Sequence, residues 1–250
     1  MVDLLQCTNV SKSFSGLQAL KNVDLMINEN EITGLVGPNG SGKSTFLNVI
    51  VGILRPDSGQ ILFMKDDISK LPTFKICRRG VVKTTQITQS FPTMTTIDNV
   101  LAAILFSGAT HRNGRLSAVE RSRELLEFVG IQKSKFDIPV QMLNLAELRR
   151  VQLARALATE PKLLLLDEIL TGLNPKECNQ AIELIKNINN QGVTILIVEH
   201  VMRIIMSLCH HVTVLHHGEK ISEGPPQDVV KDEAVIKVYL GKSYSLHEDQ

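Results

Sequence analysis

The sequence predicts an α/β protein with a mostly parallel sheet. Short segments rich in Val, Ile and Leu occur at residues 32–36, 81–83, 163–167 and 193–198. Near-continuous apolar runs of this kind are typical of strands that are buried on both faces of a parallel sheet. Helical stretches follow most of these runs and begin near Lys43, Pro175 and Val201. Strands that alternate with helices in this way predict the α/β class.

The amino-terminal part of the chain departs from this alternation. Residues 4–10 and 23–28 read as short strands, and the stretch between them at residues 11–16 is rich in turn-forming residues. Two neighbouring strands joined through a turn favour antiparallel pairing. We therefore expect an N-terminal antiparallel β layer beside the main sheet.

A second departure is helical. Residues 97–106 read as one helix that follows threonines suited to N-capping. Ser117 and Glu120 have the spacing of a capping box, which would open a second helix running to about Val129. Gly130 is placed to end that helix in a left-handed conformation. The strand signal is missing throughout this region, which predicts an inserted α-helical subdomain.

These observations predict one domain over the 250 residues of the chain. We expect its core to comprise approximately residues 1–88 and 146–241. The helical subdomain would be inserted at approximately residues 89–145, and residues 242–250 read as a polar tail.

Composition excludes several classes of function. The chain has 27 Lys and Arg residues against 26 Asp and Glu residues, so its net charge is +1. Such a balance argues against a nucleic acid partner held by bulk charge. No apolar run approaches the roughly 18 to 20 residues that a membrane-spanning helix needs. The four cysteines are scattered and form no CxxC pair, which favours a reduced, cytoplasmic protein.

A glycine-rich segment follows the first predicted buried strand. It has the pattern GxxxxGK[ST] and comprises Gly37, Pro38, Asn39, Gly40, Ser41, Gly42, Lys43, Ser44 and Thr45. Between a strand and a helix, this pattern is typical of a loop that binds nucleotide phosphates. Its backbone N–H groups turn toward phosphate oxygens, and the following helix adds the positive end of its dipole. We expect Lys43 to reach the β- and γ-phosphates and Ser44 to coordinate Mg²⁺.

Polar residues end two other predicted strands. Asp167 and Glu168 follow four leucines, and His200 follows the strand at residues 193–198. In an open parallel sheet, ligands bind beyond the carboxyl ends of the strands. Asp167 is then expected to hold the hydration shell of Mg²⁺, and Glu168 to orient or deprotonate the attacking water. His200 can donate a hydrogen bond to a γ-phosphate and orient the same water.

These three elements, in this order, resemble the ATP-binding subunit of an ABC transporter over nearly the whole chain. The resemblance implies a P-loop NTPase core of the ABC type that binds ATP and Mg²⁺. It implies that Phe14 stacks on adenine and that Gln86 meets Mg²⁺ and relays to the membrane subunits. It also implies a dimer in which each ATP lies between one phosphate loop and the opposite signature.

The resemblance assigns two further segments to the dimer. The signature, normally similar to LSGGQ, corresponds to Leu143, Asn144, Leu145, Ala146 and Glu147. The loop that crosses to the dimer mate corresponds to Gly172, Leu173 and Asn174. Asn144 replaces the serine that contacts the partner's γ-phosphate, and Ala146 replaces a glycine. Because only this trans-acting segment departs from the pattern, we expect a heterodimer with a second ATP-binding subunit. A homodimer that tolerates both replacements is the alternative.

Finer features resemble the branched-chain amino acid importer branch, at residues 14–20, 172–175 and 235–241. This branch implies a peripheral protein on the inner face of the cell membrane, docked on permease subunits, with a solute-binding protein as an indirect partner. Subunits for urea, amides or aromatic acids look similar. The alternatives are an exporter or lipid-transport ATPase, a non-transport ABC protein acting on the ribosome or DNA, and a regulatory module without turnover.

Overall fold

The computed structural model describes residues 3–84, 91–107 and 114–240. The strands there are β1 (Asp3–Phe14), β2 (Leu17–Asn28), β3 (Ile32–Val36), β4 (Ser58–Phe63), β5 (Asp66–Asp67), β6 (Val81–Lys83), β7 (Leu163–Asp167), β8 (Thr194–Val198), β9 (His211–His216) and β10 (Glu219–Gly224). The α-helices are α1 (Lys43–Ile50), α2 (Thr73–Arg78), α3 (Thr96–Ser107), α4 (Gly114–Phe128), α5 (Leu145–Leu157), α6 (Pro175–Asn190), α7 (Met202–Leu208), α8 (Pro226–Val229) and α9 (Glu233–Leu240). The chain divides into two units, residues 1–72 with 194–250 and residues 73–193.

The first unit contains an antiparallel sheet in the order β2-β1-β4-β5. This confirms the predicted N-terminal layer, but the predicted turn at residues 11–16 is wrong. Strand β1 continues to Phe14, and Ser15 and Gly16 alone form the turn, both with positive φ. Register shifts between β1 and β2 near Val10 and Lys12 absorb the irregular sequence within a continuous strand.

The first unit also holds four strands in the order β10-β9-β3-β8. Strand β3 pairs in parallel with β8 and β9, and β9 pairs antiparallel with β10. Every residue of β3 and of β8 is buried, as the apolar runs predict. Strand β3 leads directly into the glycine-rich loop and then into α1, where Phe46, Leu47 and Ile50 are buried. The buried residues of β3 and of α1 therefore hold the two ends of the glycine-rich loop in place.

The second unit contains the parallel pair β6 and β7 and the helices α3, α4 and α5. The Asp98 N–H donates to Thr95 Oγ1 over 3.1 Å, so a threonine caps α3 as predicted. The predicted capping box at Ser117 is wrong, because α4 already begins at Gly114. Gly130 has a φ of 81° after α4, as expected for its stop. No helix in the described ranges is long and apolar enough to cross a membrane.

Candidate functional site

The glycine-rich loop between β3 and α1 has a backbone that only glycine permits at two positions. Gly37 has a φ of 149°, and an added Cβ would lie 2.1 Å from the Leu215 carbonyl oxygen. Gly42 has a φ of 106°, and its Cβ would lie 2.6 Å from the Ala19 carbonyl oxygen. Gly40 also has a positive φ, yet its Cβ would meet nothing within 4 Å. The loop thus packs closely against neighbouring backbone at Gly37 and Gly42, whereas the space beside Gly40 at its tip is open.

Lys43 opens α1 and turns back over this loop. Its side chain is only 5 % exposed. The ammonium donates to the carbonyl oxygens of Gly37 and Pro38 over 2.8 and 2.9 Å, and it lies 3.5 Å from Ser41 Oγ. A phosphate oxygen is a stronger acceptor for an ammonium than a neutral carbonyl. The lysine that the sequence predicts for phosphate binding is therefore already held within the loop.

The residues before and after Lys43 in the glycine-rich loop differ in how exposed they are. Asn39 and Gly40 are exposed at the tip, Pro38 is half-buried, and Ser41 is buried. The first turn of α1 contains Ser44, which is exposed, and Thr45, which is half-buried. An exposed hydroxyl on that turn is available to a hydrated cation, because Mg²⁺ prefers oxygen ligands.

Tyr239 on α9 also reaches this loop, although no motif in the sequence marks it as a site residue. Burial raises the pKa of the Tyr239 hydroxyl above its ordinary value, and a hydrogen bond with the Gly37 backbone acts in the opposite direction. The phenol therefore meets the first glycine of the loop. No sequence pattern pairs a residue with a partner about 200 positions away, so this contact required the structure.

Phe14 ends strand β1 in the first unit, with 42 % of its surface exposed. The Lys12 ammonium lies 5.6 Å from its ring centroid and also pairs with Asp57 over 2.7 Å. A large exposed aromatic ring at the end of a strand can stack on a flat heterocycle. Its position is therefore compatible with the predicted contact to adenine.

His200 also lies in the first unit, two residues beyond β8, where its side chain is exposed. The preceding Glu199 is only 2 % exposed. The end of the buried strand thus delivers the histidine to the surface. Gln86, which the family resemblance assigns to Mg²⁺, lies outside the described residues.

Asp167 and Glu168 lie at the end of β7 in the second unit. Asp167 is 3 % exposed, and its Oδ2 lies 3.0 Å from the ammonium of Lys83 on β6. Its Oδ1 is buried and has no hydrogen-bond partner in the part of the chain that the structure describes. Buried polar atoms normally have a partner, so this carboxylate fits a role in holding a hydrated cation. Lys83 was not predicted, because only strand pairing brings it to Asp167.

Glu168 adopts an unusual backbone conformation. Its φ is 49°, a left-handed value that costs a non-glycine residue roughly 1–2 kcal/mol. The side chain is half-buried, whereas the residues of β7 are fully buried. Such local strain is concentrated at functional sites, where the surrounding structure maintains it. The chain therefore changes direction directly after β7, at Glu168, which the sequence predicts as the general base.

The predicted signature begins α5 in the second unit. The side chain of Asn144 caps this helix, because its Oδ1 accepts the Glu147 N–H over 2.9 Å. The Glu147 carboxylate in turn accepts the Asn144 N–H over 3.2 Å. Ala146 lies in the first helical turn, so its methyl group brings no strain of positive φ. Leu143 is buried and Leu145 is exposed.

The predicted dimer loop lies against the signature within the same unit. Gly172 has a φ of 84°, and an added Cβ would lie 3.0 Å from Leu145 Cδ2. Leu173 and Asn174 follow, and Asn174 caps α6 through a second capping box with Glu177. Both hydrogen bonds of that box measure 3.0 Å. The two segments predicted to act in trans thus contact each other, and each contains an asparagine that caps a helix.

The family comparisons agree with these features. Residues 20–171 match the family model described as ABC transporter. Residues 219–245 match a second model, Branched-chain amino acid ATP-binding cassette transporter.

Two curated relatives resemble the chain over almost its whole length. The probable branched-chain amino acid transport ATP-binding protein LivG of Archaeoglobus fulgidus is 35% identical over 246 residues, which cover 95% of each chain. The lipopolysaccharide export system ATP-binding protein LptB of Haemophilus influenzae is 34% identical, covering 98% of this chain and 100% of that protein.

Solved structures give the same result. The ADP conformation of the ATP-binding cassette MJ1267 aligns with a TM-score of 0.87 and 30% identity, covering 97% of this chain and 100% of that one. A dimeric post-hydrolysis state of the cassette MJ0796, bound to ADP and Pi, aligns with a TM-score of 0.81 and 26% identity, covering 89% and 98%. The chain belongs to the ABC transporter family and is an ATP-binding, ATP-hydrolysing cassette of that family.

Proposed function

We propose that this chain powers a membrane importer for branched-chain amino acids or a similar small polar solute. The observation that carries the proposal is the match of residues 219–245 to the branched-chain amino acid cassette model. That segment includes Tyr239, whose hydroxyl meets the Gly37 backbone of the phosphate loop. The segment that is characteristic of the branch is thus in contact with the loop expected to bind ATP.

In the proposed reaction, the first unit binds the nucleotide. Phe14 stacks on adenine, and residues 37–45 hold the phosphates through backbone N–H groups and the dipole of α1. Lys43 exchanges its carbonyl partners for the β- and γ-phosphates. Ser44, Gln86 and, through water, Asp167 would hold Mg²⁺. The metal, when bound, neutralises charge that develops on the phosphates.

Two residues act on the attacking water. Glu168 accepts its proton as the general base, in a conformation already established by the turn after β7. His200 donates a hydrogen bond to the γ-phosphate and orients the water. These roles need a carboxylate and an imidazole at strand ends, and both side chains are at least partly accessible.

We further propose that the dimer contains a second, different ATP-binding subunit. Asn144 already uses its side-chain oxygen to accept the Glu147 N–H. Glu147 places a carboxylate where the family pattern has a neutral glutamine, and Lys135 pairs with it. Because this cap already uses N–H groups of the first turn, fewer donors remain for a phosphate than in a turn with a serine followed by glycines. By contrast, the cis elements at Lys43, Glu168 and His200 fit ATP hydrolysis.

The assembly would place the chain on the inner face of the cell membrane, in the cytoplasm. Permease subunits dock it there, and a solute-binding protein is an indirect partner. Within the chain, residues 89–145 would act as the helical subdomain and residues 1–88 and 146–241 as the core. Nucleic acid is not an expected partner, because the net charge is only +1.

Restoring the usual family residues at Asn144 and Ala146 tests whether the dimer is a homodimer or a heterodimer. In a homodimer both sites carry the defect, so Asn144→Ser with Ala146→Gly should raise ATP turnover substantially. In a heterodimer the repair should change total turnover only modestly, whereas Glu168→Gln should remove most of it. Ala181→Gly on α6 controls for glycine in a helix. Purified chain that alone forms an ATP-dependent dimer with full, permease-stimulated hydrolysis would contradict the heterodimer.

An export function is the second candidate, since the LptB relative covers 98% of the chain at 34% identity. The two proposals differ in the direction of transport. Inverted and right-side-out vesicles that contain the assembled transporter separate them. Solute accumulation on the side of the ATPase supports import, and ATP-dependent extraction of lipid from the membrane supports export.

A further inference from the structure

A buried ion pair joins the ends of β6 and β7. The Lys83 ammonium lies 3.0 Å from Asp167 Oδ2, with 10% of the lysine side chain and 4% of the aspartate side chain exposed. The pair depends on strand register, in which Lys83 lies opposite Leu165. Asp167 is two residues beyond Leu165 on β7, so it lies on the same face of the sheet as Lys83.

Backbone contacts hold the aspartate in place. The Asp167 N–H donates to Thr84 Oγ1 over 3.4 Å, and the Thr84 hydroxyl donates to the Leu165 carbonyl oxygen over 3.3 Å. Thr84 is itself 3% exposed. These bonds tie the end of β6 to the end of β7 beside the carboxylate.

The two oxygens of this carboxylate have different surroundings. Oδ2 has the ammonium, whereas Oδ1 is buried without a hydrogen-bond partner among the described residues. A buried charge is costly unless an opposite charge is paired with it. Lys83 supplies one positive charge, and the unsatisfied Oδ1 provides an acceptor for water held by a second cation.

We propose that Lys83 is a positioning residue that holds the Asp167 carboxylate in place before Mg-ATP binds. The inference rests on the proposed function, in which Asp167 holds the hydration shell of Mg²⁺. Before binding, the ammonium compensates the buried carboxylate. Once the metal is present, the two positive charges repel, so Lys83 also limits the preference of the site for Mg-ATP over metal-free ATP.

Four full-length variants test this proposal: Lys83→Met, Lys83→Arg, Asp167→Asn and the double variant Lys83→Met with Asp167→Asn. The first readout is the thermal midpoint of the nucleotide-free protein in EDTA. Lys83→Met should lower it by about 5 °C or more, because the carboxylate is left buried and unpaired. The double variant should recover most of that loss, and Lys83→Arg should stay near wild type.

The second readout is the ratio of affinities for Mg-ATP and metal-free ATP, measured with a fluorescent ATP analogue. Loss of the repelling charge in Lys83→Met should raise this ratio by at least about threefold. Lys83→Arg should leave it near the wild-type value. A lysine that only supports folding would change the thermal midpoint without changing this ratio.

The outcomes separate the inference from the function on which it rests. If Asp167→Asn keeps the wild-type affinity ratio, Asp167 does not hold the metal, and both its role in the proposed reaction and the inference about Lys83 fail. If Asp167→Asn lowers the ratio but Lys83→Met behaves like wild type, the inference alone is wrong. Should Lys83→Met be insoluble, recovery of soluble double variant supports the pair, and its failure to recover overturns the proposal.

Discussion

Asn144 and Glu147 cap each other in the first turn of α5. The Glu147 N–H donates to Asn144 Oδ1 over 2.9 Å, and the Asn144 N–H donates to Glu147 Oε2 over 3.2 Å. Lys135 forms an ion pair with the other oxygen of the Glu147 carboxylate. The segment that resembles an altered signature is thus a well-formed helix start. The departure from LSGGQ leaves the start of α5 fully capped.

Loss of this cap should have a measurable effect on stability. Asn144→Ala should lower the free energy of unfolding by about 1 kcal/mol, because it removes an acceptor for an orphan N–H. Asn174→Ala is the matched control, since Asn174 makes the same capping box on α6. Urea unfolding followed by circular dichroism measures both. A loss in Asn174→Ala with none in Asn144→Ala would show that the α5 cap is energetically unimportant.

Lys43→Ala should abolish productive ATP binding, because the phosphates lose their main cationic partner. Isothermal titration with Mg-ATP measures the effect. Lys186→Ala is the control, since that lysine is exposed and pairs with Glu183 on the surface of α6. Near wild-type ATP affinity in Lys43→Ala would mean that residues 37–45 are not the phosphate loop.

Glu168→Gln should preserve ATP binding and lower hydrolysis by about 10²-fold or more, the scale expected for loss of a positioned base. The amide retains the shape of the side chain and the bend at a φ of 49°. Steady-state phosphate release and light scattering measure turnover and the expected ATP-bound dimer. A variant with normal turnover would place the catalytic base elsewhere.

Phe14→Ala should weaken ATP binding by about 1 kcal/mol through lost stacking, whereas Phe14→Tyr should be tolerated. Inorganic triphosphate provides the control ligand, because it has no base to stack. Competition binding compares the two ligands. Equal losses for ATP and triphosphate would point to a defect in folding rather than in adenine recognition.

Local patterns in the sequence predicted the central elements well. Strands β3, β6 and β7 have the bounds expected from their apolar runs, and α1 and α6 begin at the expected residues. These features depend on neighbouring residues alone. The capping box at Asn144 has the same local character, since Asn and Glu three positions apart before a helix are its signature. That pattern could have been recognised in the sequence.

Other features depend on long-range geometry. The Lys83–Asp167 pair needs the register of two strands far apart in the chain. The Tyr239 contact with Gly37 needs the packing of a helix near the C-terminus. The turn predicted at residues 11–16 was wrong because bulged pairing with β2 keeps polar residues within a strand. Composition cannot distinguish such a strand from a loop.

ATP-driven uptake of radiolabelled leucine into proteoliposomes tests the central claim most directly. The vesicles should contain this chain, a second ATP-binding subunit, the permease subunits and the solute-binding protein. We predict uptake that requires ATP on the side of this chain and is lost with Glu168→Gln. Leucine uptake that is unaffected by Glu168→Gln, or an active ATPase assembly that moves no amino acid, would contradict the proposed function.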